Sequence, residues 1–388
     1  MKVMKNMRKK KIVVVGTRGI PNIMGGVETH CEELFPRLAA KGYDIIVFRR
    51  SAYVDSDVDA ASGVKLHIWK GIRLIDLKSP KAKAFEAIIH TVKAVCVARW
   101  IGADVVHVHA VGPALVVPFA RLLGLKVVFT HHGPDYDRDK WCAAAKFVLR
   151  MGQFFGCLCA NRVIVISEVI KQLIADSCGR RKRVHLIYNG VPEPEICHNA
   201  EYFRSLGIEE GNYILGMCRF VPEKHLHDLV RAYTIARERF EKSNNNEIQN
   251  FPRLVLAGDS DFDDDYSRTL KKEALENGVV LTGFVHGEKL HSLLTNAKCY
   301  SLPSSHEGLP ISLLEAMSYS LPVVVSAIPA NLEIGLDKDC YHNVGDVEVL
   351  ADKLFDIATK PLVRVKYNLE KYNWDNIASQ VSEVYELL

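Results

Sequence analysis

Lys11-Ile12-Val13-Val14-Val15-Gly16-Thr17-Arg18-Gly19-Ile20-Pro21, followed by Gly25-Gly26-Val27-Glu28, is the stretch that decides the fold. A β-branched run closed by Gly16 suits a strand covered on both faces. Residues 27–41 then place Leu34 and Leu38 one helical turn apart, with Lys41-Gly42 as a stop. A strand passing through a glycine loop into a helix is the opening of an α/β unit with a parallel sheet. The helix start carries chemistry as well. Gly25 and Gly26 let backbone amides approach a phosphate closely, and the helix N-terminus adds partial positive charge. The same stretch excludes two nucleotide readings. Gly16-Thr17-Arg18-Gly19 is not the dinucleotide Gly-x-Gly-x-x-Gly, and the second strand ends in Arg49-Arg50 where an NAD site wants a carboxylate. A Walker A sequence is also absent from the chain.

Outward from this stretch the pattern repeats. Short apolar runs at 44–48, 104–109, 126–131, 162–167 and 184–188 read as further strands separated by helices. The residues 81–100 read as a basic amphipathic helix with Phe85, Ile88, Ile89, Val92, Val95 and Cys96 as its apolar face. A second series begins at 213–218 and continues at 253–257, 279–282, 299–303 and 322–326. Between the two lies Asn189-Gly190-Val191-Pro192-Glu193-Pro194, rich in glycine and proline and suited to a hinge. We therefore expect an N-terminal Rossmann-like domain over 1–190 and a second one over 191–371. A C-terminal helix over 372–388, with Trp374 near its start, is expected to pack back on the N-terminal domain. Residues 243–250 read as an exposed polar loop. Ligands of such sheets bind beyond the carboxyl ends of the strands, so a nucleotide is expected in a cleft between the domains.

The 388 residues fit two domains at about 150 residues each, and 48% hydrophobic with 25% charged residues excludes a fibrous or disordered chain. The net charge of +4 hides an asymmetry: residues 1–190 carry 31 basic and 15 acidic residues (+16), and residues 191–388 carry 19 and 31 (−12). A basic half invites an anionic partner. No nucleic-acid recognition motif accompanies the charge, so nucleic acid is not expected. No apolar run approaches the length of a membrane span. The basic start is followed by an apolar stretch of only Ile12–Val15, too short for a signal peptide. Ten cysteines without Cys-x-x-Cys pairs read as reduced thiols, and together these features point to a cytoplasmic protein.

Four places concentrate chemistry. The Gly25-Gly26 turn is one. Arg219 and Lys224, five residues apart after a strand, suit a diphosphate held from two directions. His306-Glu307-Gly308-Leu309-Pro310-Ile311-Ser312-Leu313-Leu314-Glu315 opens a helix whose amides would face an anion, with Pro310 suited to its first turn. Its carboxylates are acceptors for sugar hydroxyls. Thr130-His131-His132-Gly133-Pro134-Asp135-Tyr136-Asp137-Arg138-Asp139-Lys140-Trp141 packs two histidines, three aspartates and two cations into one loop. Zinc on both histidines is disfavoured because adjacent residues of an extended chain point to opposite faces. The aspartate runs at 55–59 and 259–265 read as solvated loops, so no metal is assigned.

These motifs together resemble the retaining nucleotide-sugar glycosyltransferases of family 4, over nearly the whole chain. Glu307 and Glu315 match the family's Glu-x7-Glu, Asn189-Gly190-Val191 its interdomain segment, and the opening glycine loop a bacterial subgroup containing rhamnosyltransferase-like enzymes. The resemblance implies the GT-B fold and a metal-independent retaining transferase of hexose or deoxyhexose, acting in surface polysaccharide assembly such as lipopolysaccharide or capsule. The donor would be a UDP-, GDP- or dTDP-sugar, with no further cofactor. The acceptor would be a glycan or a polyprenyl-pyrophosphate-linked saccharide. Arg219 and Lys224 would hold the diphosphate, with amides at Gly25, Gly26 and Gly308, Leu309 and Pro310. Glu315 would bind ribose, Glu307 the transferred sugar, and Phe284 and Val285 the base. His132 would lie near the donor sugar, with His131 as the fallback. His131, Asp135, Arg138 and Lys140 would position the acceptor. From the basic charge of the N-terminal half, two readings stand for Lys81, Lys83 and Lys93 with the apolar face of 81–100, and for Phe147, Leu149, Phe154 and Phe155 around Lys146 and Arg150: a patch resting on an anionic inner leaflet, or ordinary core. The alternatives are another GT-B enzyme, an epimerase or phosphorylase, and a catalytically degenerate scaffold.

Overall fold

The computed structural model describes residues 8–54, 64–78, 86–137, 141–243, 251–260 and 264–388. The chain divides into two units, Met1–Gly190 with Tyr372–Leu388, and Val191–Lys371. Of the sequence expectations, Lys81, Lys83, Phe85, Arg138, Lys140, most of the aspartate runs and the loop 244–250 lie outside the described residues.

The first unit is built on eight strands: β1 (Lys11–Val15), β2 (Asp44–Arg50), β3 (Val64–Trp69), β4 (Ile72–Leu77), β5 (Val105–His109), β6 (Lys126–His131), β7 (Arg162–Val165) and β8 (Val184–Leu186). Their order across the sheet is β3-β4-β2-β1-β5-β6-β7-β8. The order reverses between β1 and β5, which pair directly with Ile12 opposite Val105. The expected parallel sheet needs one correction. β3 runs antiparallel to β4, with Trp69 opposite Ile72. Lys70 and Gly71 between them both have positive φ, 43° and 77°. That is the signature of a two-residue hairpin turn whose twist matches the strands it joins.

Ile12, Val13 and Val14 are fully buried, as the β-branched run predicts. The helix Gly26–Ala40 buries Leu34, Phe35 and Leu38 despite Pro36 inside it. Packing therefore outweighs the backbone bond that proline removes. The helix Trp374–Glu386 completes the same core with Trp374, Ile377, Val381 and Tyr385. Gly190 lies so close to the Trp374 indole that a Cβ there would come within 2.4 Å of it.

The helix Glu86–Trp100 corrects the expected apolar face. It buries Glu86, His90, Thr91, Ala94, Val95 and Ala98, while Ile89 and Cys96 face solvent. His90 is held there by a 3.1 Å bond to the Arg49 carbonyl, which offsets the loss of water. The helix Ala143–Cys159 packs through Gly152 and Gly156, where a Cβ would strike the Val111 carbonyl or Ala114. Its larger apolar residues are thereby turned outward, with Phe147 64% and Leu158 56% exposed.

The second unit has six parallel strands: β9 (Tyr213–Met217), β10 (Arg253–Ala257), β11 (Val280–Gly283), β12 (Cys299–Leu302), β13 (Val323–Ser326) and β14 (Tyr341–His342). Their order is β11-β10-β9-β12-β13-β14, reversing between β9 and β12. The helices Leu226–Ser243 and Val347–Thr359 share its core.

Candidate functional site

In an open parallel sheet, chains leaving neighbouring strands at the reversal point diverge and leave room for a ligand. Both sheets carry their chemistry there.

In the second unit the reversal lies between β9 and β12. The loop after β9 carries Arg219 and turns at Pro222–Lys224. The chain after β12 runs through Glu307 to Pro310, which caps the helix Ile311–Ser318 from the position before its first residue. Pro310 is thus one step outside the first turn that the sequence suggested. The Ser305 amide donates to the Glu223 carbonyl at 2.9 Å and fastens the two loops together. That bond brings Lys224 Nζ to 2.5 Å from Glu307 Oε1, with side chains 15% and 9% exposed. An ammonium has three donors, and this pair uses one of them. Arg219 is partly buried on the same loop, and Glu315 is partly buried on the second turn of the helix. Leu309 is buried, Val285 is buried, and Phe284 is 43% exposed just after Gly283, whose φ is +68°. Two cations, a helix N-terminus and two carboxylates near one strand reversal can hold an anion flanked by hydroxyl groups.

In the first unit the reversal lies between β1 and β5. Gly16 there sits against His109, where a Cβ would meet the His109 carbonyl oxygen at 2.1 Å. Gly25 has φ +150° and backs onto Glu28, whose carboxylate accepts from the Arg18 amide at 3.0 Å. A side chain at Gly25 would collide with that carboxylate at 2.1 Å. Gly26 opens the helix and is exposed.

The adjacent histidines do point apart. His131 is fully buried, with Nε2 2.8 Å from Gln153 Oε1 and Nδ1 accepting the Gly133 amide at 3.1 Å. Tyr136 donates to the same Gln153 oxygen at 3.0 Å. His131 is therefore a buried support for this loop, which corrects the expectation that it faces an acceptor. His132 turns the other way, with Nε2 2.9 Å from His109 Nδ1 and its ring 4.8 Å from that of His30. Asp135 is partly buried in the short turn Asp135–Asp137. Burial pulls His30 down to about 4, against an opposing bond to Asn189. Burial, then neighbouring imidazoles, holds His109 and His132 well below the ordinary histidine range.

Residues 24–193 match the family described as Glycosyltransferase Family 4, and residues 198–374 match Glycosyl transferases group 1. The chain belongs to glycosyltransferase family 4. An uncharacterized glycosyltransferase of Methanocaldococcus jannaschii is 25% identical over 97% of this chain and 98% of its own length. The UDP-Gal:alpha-D-GlcNAc-diphosphoundecaprenol alpha-1,3-galactosyltransferase of Escherichia coli is 27% identical over 59% of each chain. Among solved structures, Anabaena HepE in complex with UDP and glucose superposes with a TM-score of 0.75 at 18% identity, over 98% of this chain and 100% of its own. These matches agree with the GT-B fold expected from the sequence.

Within this family 4 chain, sequence reasoning missed His30 and His109. The one signal was His107-Val108-His109 at a strand end, where period-two alternation sends both imidazoles to one face.

Proposed function

We propose that this chain is a retaining glycosyltransferase that moves a hexose or deoxyhexose from a nucleotide-diphosphate donor to a lipid-linked saccharide in surface polysaccharide assembly. The observation that carries the reading is the Lys224–Glu307 ion pair at the strand reversal of the second unit, on the loop that also carries Arg219. The galactosyltransferase relative, named for a UDP-sugar donor and a diphosphoundecaprenol-linked acceptor, supports the substrate class.

In this reading Arg219 and Lys224 take the charge that grows on the departing diphosphate, where preorganised cations contribute most. No metal is needed for that step. Amides of Gly25, Gly26 and Gly308–Pro310 add to the hold. Glu315 binds the ribose, Phe284 and Val285 the base, and Glu307 the transferred sugar. His132 lies beside the donor sugar, and Asp135 positions the acceptor.

The test is thermal stability with UDP, GDP, dTDP and ADP, each with and without EDTA. A diphosphate at 100 times its dissociation constant stabilises by about 2.7 kcal/mol. One of the first three is expected to stabilise, equally with EDTA, and Glu315→Ala to abolish the effect. Stabilisation by none of them, in a protein shown to be folded, would remove the donor site.

The lipid-linked acceptor places the first unit at a membrane surface. The outward Phe147, Phe154 and Leu158 lie on one helix with Lys146 and Arg150, suited to an anionic leaflet. Among the described residues, no helix is long and apolar enough to cross a membrane. Flotation with anionic vesicles is expected, falling with salt and in Phe147→Ser/Leu158→Ser. Equal flotation with neutral vesicles would sink this contact.

A further inference from the structure

Three imidazoles from distant parts of the chain meet in the first unit: His30 from the helix Gly26–Ala40, His109 from the end of β5 and His132 just past β6. Each offers one ring nitrogen, and the three nitrogens lie within 4.8 Å of one another. We propose that this triad is a binding site for a divalent transition metal of the zinc class, with three protein ligands and one open position.

The hydrogen bonding prepares it. His30 Nδ1 lies 2.9 Å from Asn189 Oδ1, and a carbonyl oxygen only accepts, so the proton sits on Nδ1 and Nε2 keeps its lone pair. A carbonyl holding the far nitrogen of a metal-ligating histidine is the usual outer-shell partner. His107 backs the site: its ring lies 4.3 Å from that of His109, and its own nitrogens are taken by Tyr385 and Thr130 at 2.6 Å each. His107 therefore supports the triad without joining it.

The triad is poorly satisfied as it stands. His109 Nδ1 and His132 Nε2 face each other at 2.9 Å, and a neutral imidazole has one donor, so one of these nitrogens must give its proton to the other. His109 Nε2 is buried with no partner, so His109 leaves a bare nitrogen or an unused N–H in either tautomer. Buried polar groups of native proteins are normally paired, and an orphan calls for a cause. A cation on His109 Nε2 takes that bare nitrogen, and one on Nδ1 replaces the proton shared with His132, so either mode relieves one of the two defects. Zinc to imidazole distances are about 2.0–2.1 Å, so small ring rotations within the present spacing suffice. Burial keeps all three imidazoles neutral, the form that ligates. His30 and His109 are buried, while His132 is partly exposed and gives the ion a way in. Imidazole sets favour zinc, copper and nickel over magnesium or calcium.

The metal site overlaps the proposed transfer chemistry at His132. If His132 lies beside the donor sugar, as the proposed function has it, an ion held there withdraws it, and zinc inhibits transfer.

The experiment titrates Co2+ alone into metal-stripped, full-length protein and follows the visible absorption. Intense tetrahedral bands are expected to saturate at one equivalent, with no near-ultraviolet thiolate band from any of the ten cysteines. They are expected to vanish in His109→Gln and in His132→Gln, and Asn189→Ala to weaken binding about 10–100-fold. The histidines and carboxylate at His225, His227 and Asp228 form the other such group among the described residues. Bands surviving both triad variants, bands lost in His225→Gln, a thiolate band or no bands at all would each overturn the proposal. His132→Gln lies at the open rim and keeps the test decisive if His109→Gln fails to fold. Bands without zinc inhibition of transfer would leave the metal site standing and remove only the link to the donor sugar.

Discussion

Replacing Lys224 with alanine is expected to lower glycosyl transfer about 10²–10³-fold, the usual cost of one preorganised donor to a developing negative charge. The loss should lie at the upper end because of what remains. Glu307 Oε1 now lies 2.5 Å from the ammonium, and the variant leaves that largely buried carboxylate uncompensated beside the place proposed for the diphosphate. Repulsion of the nucleotide then adds to the missing attraction. A sharper result follows. Lys224→Ala/Glu307→Gln should bind the nucleoside diphosphate more tightly than Lys224→Ala alone, although it transfers no faster, because Glu307 is also proposed to hold the sugar. Nucleotide affinity read beside kcat/KM separates the two effects. A Lys224→Ala enzyme within about fivefold of the parent would place the leaving-group charge elsewhere, given that each tenfold loss corresponds to about 1.4 kcal/mol.

Acidification from pH 7.5 to 5.0, in EDTA, is expected to cost the first unit several kcal/mol. Burial first, then the neighbouring Arg50, holds His90 down to about 4, and burial holds His107 down to about 3. The His30 value is also about 4. The unfolded chain takes up a proton at each imidazole near pH 6.5, while the folded chain does so only near its depressed value. Between those limits the unfolded state binds more protons, so stability falls as pH falls. Well above pH 6.5 the imidazoles are neutral in both states and contribute nothing; the loss levels off below about 4 for His30 and His90 and below about 3 for His107. At pH 5 each of these three histidines costs roughly 2 kcal/mol. Total stability of a domain is about 5–15 kcal/mol, so the melting temperature should drop by many degrees. A melting temperature flat across this window would mean that these imidazoles reach solvent or find acceptors on protonation.

The strongly patterned elements were legible beforehand. β1, β6 and β10 occupy the ranges expected from their apolar runs, because a strand buried on both faces reads as a nearly continuous apolar run. The β3–β4 hairpin was not read. Its outer strand exposes Leu66 and Ile68, so the alternation there does not separate an inside from an outside. β14 is two residues long and leaves no periodic trace. The buried face of Glu86–Trp100 departs from its apolar pattern because hydrogen bonding lets polar His90 and Thr91 go inside while Ile89 stays out. At the candidate site, Arg219, Lys224, Glu307 and Glu315 were readable because each lies in a compact motif. His30, His109 and His132 lie in three separate motifs, and only the pairing of β1 with β5 and β5 with β6 brings them together. That adjacency belongs to topology, which local spacing does not encode.

The Trp374–Glu386 helix belongs to the core of the first unit, yet about 180 residues of the second unit separate it from Gly190 on the chain. At a ribosome adding about 5–20 residues per second, the nascent first unit waits roughly 10–40 seconds for its closing piece. During that interval the surface that will receive Trp374, Ile377 and Val381, which includes Leu34 and Leu38, has no cover from its own chain. The second unit, continuous in sequence, can finish first. Order of birth and order of maturation of the two units are thus reversed, and the unit synthesised before the other is the one left longer open to chaperones and proteases.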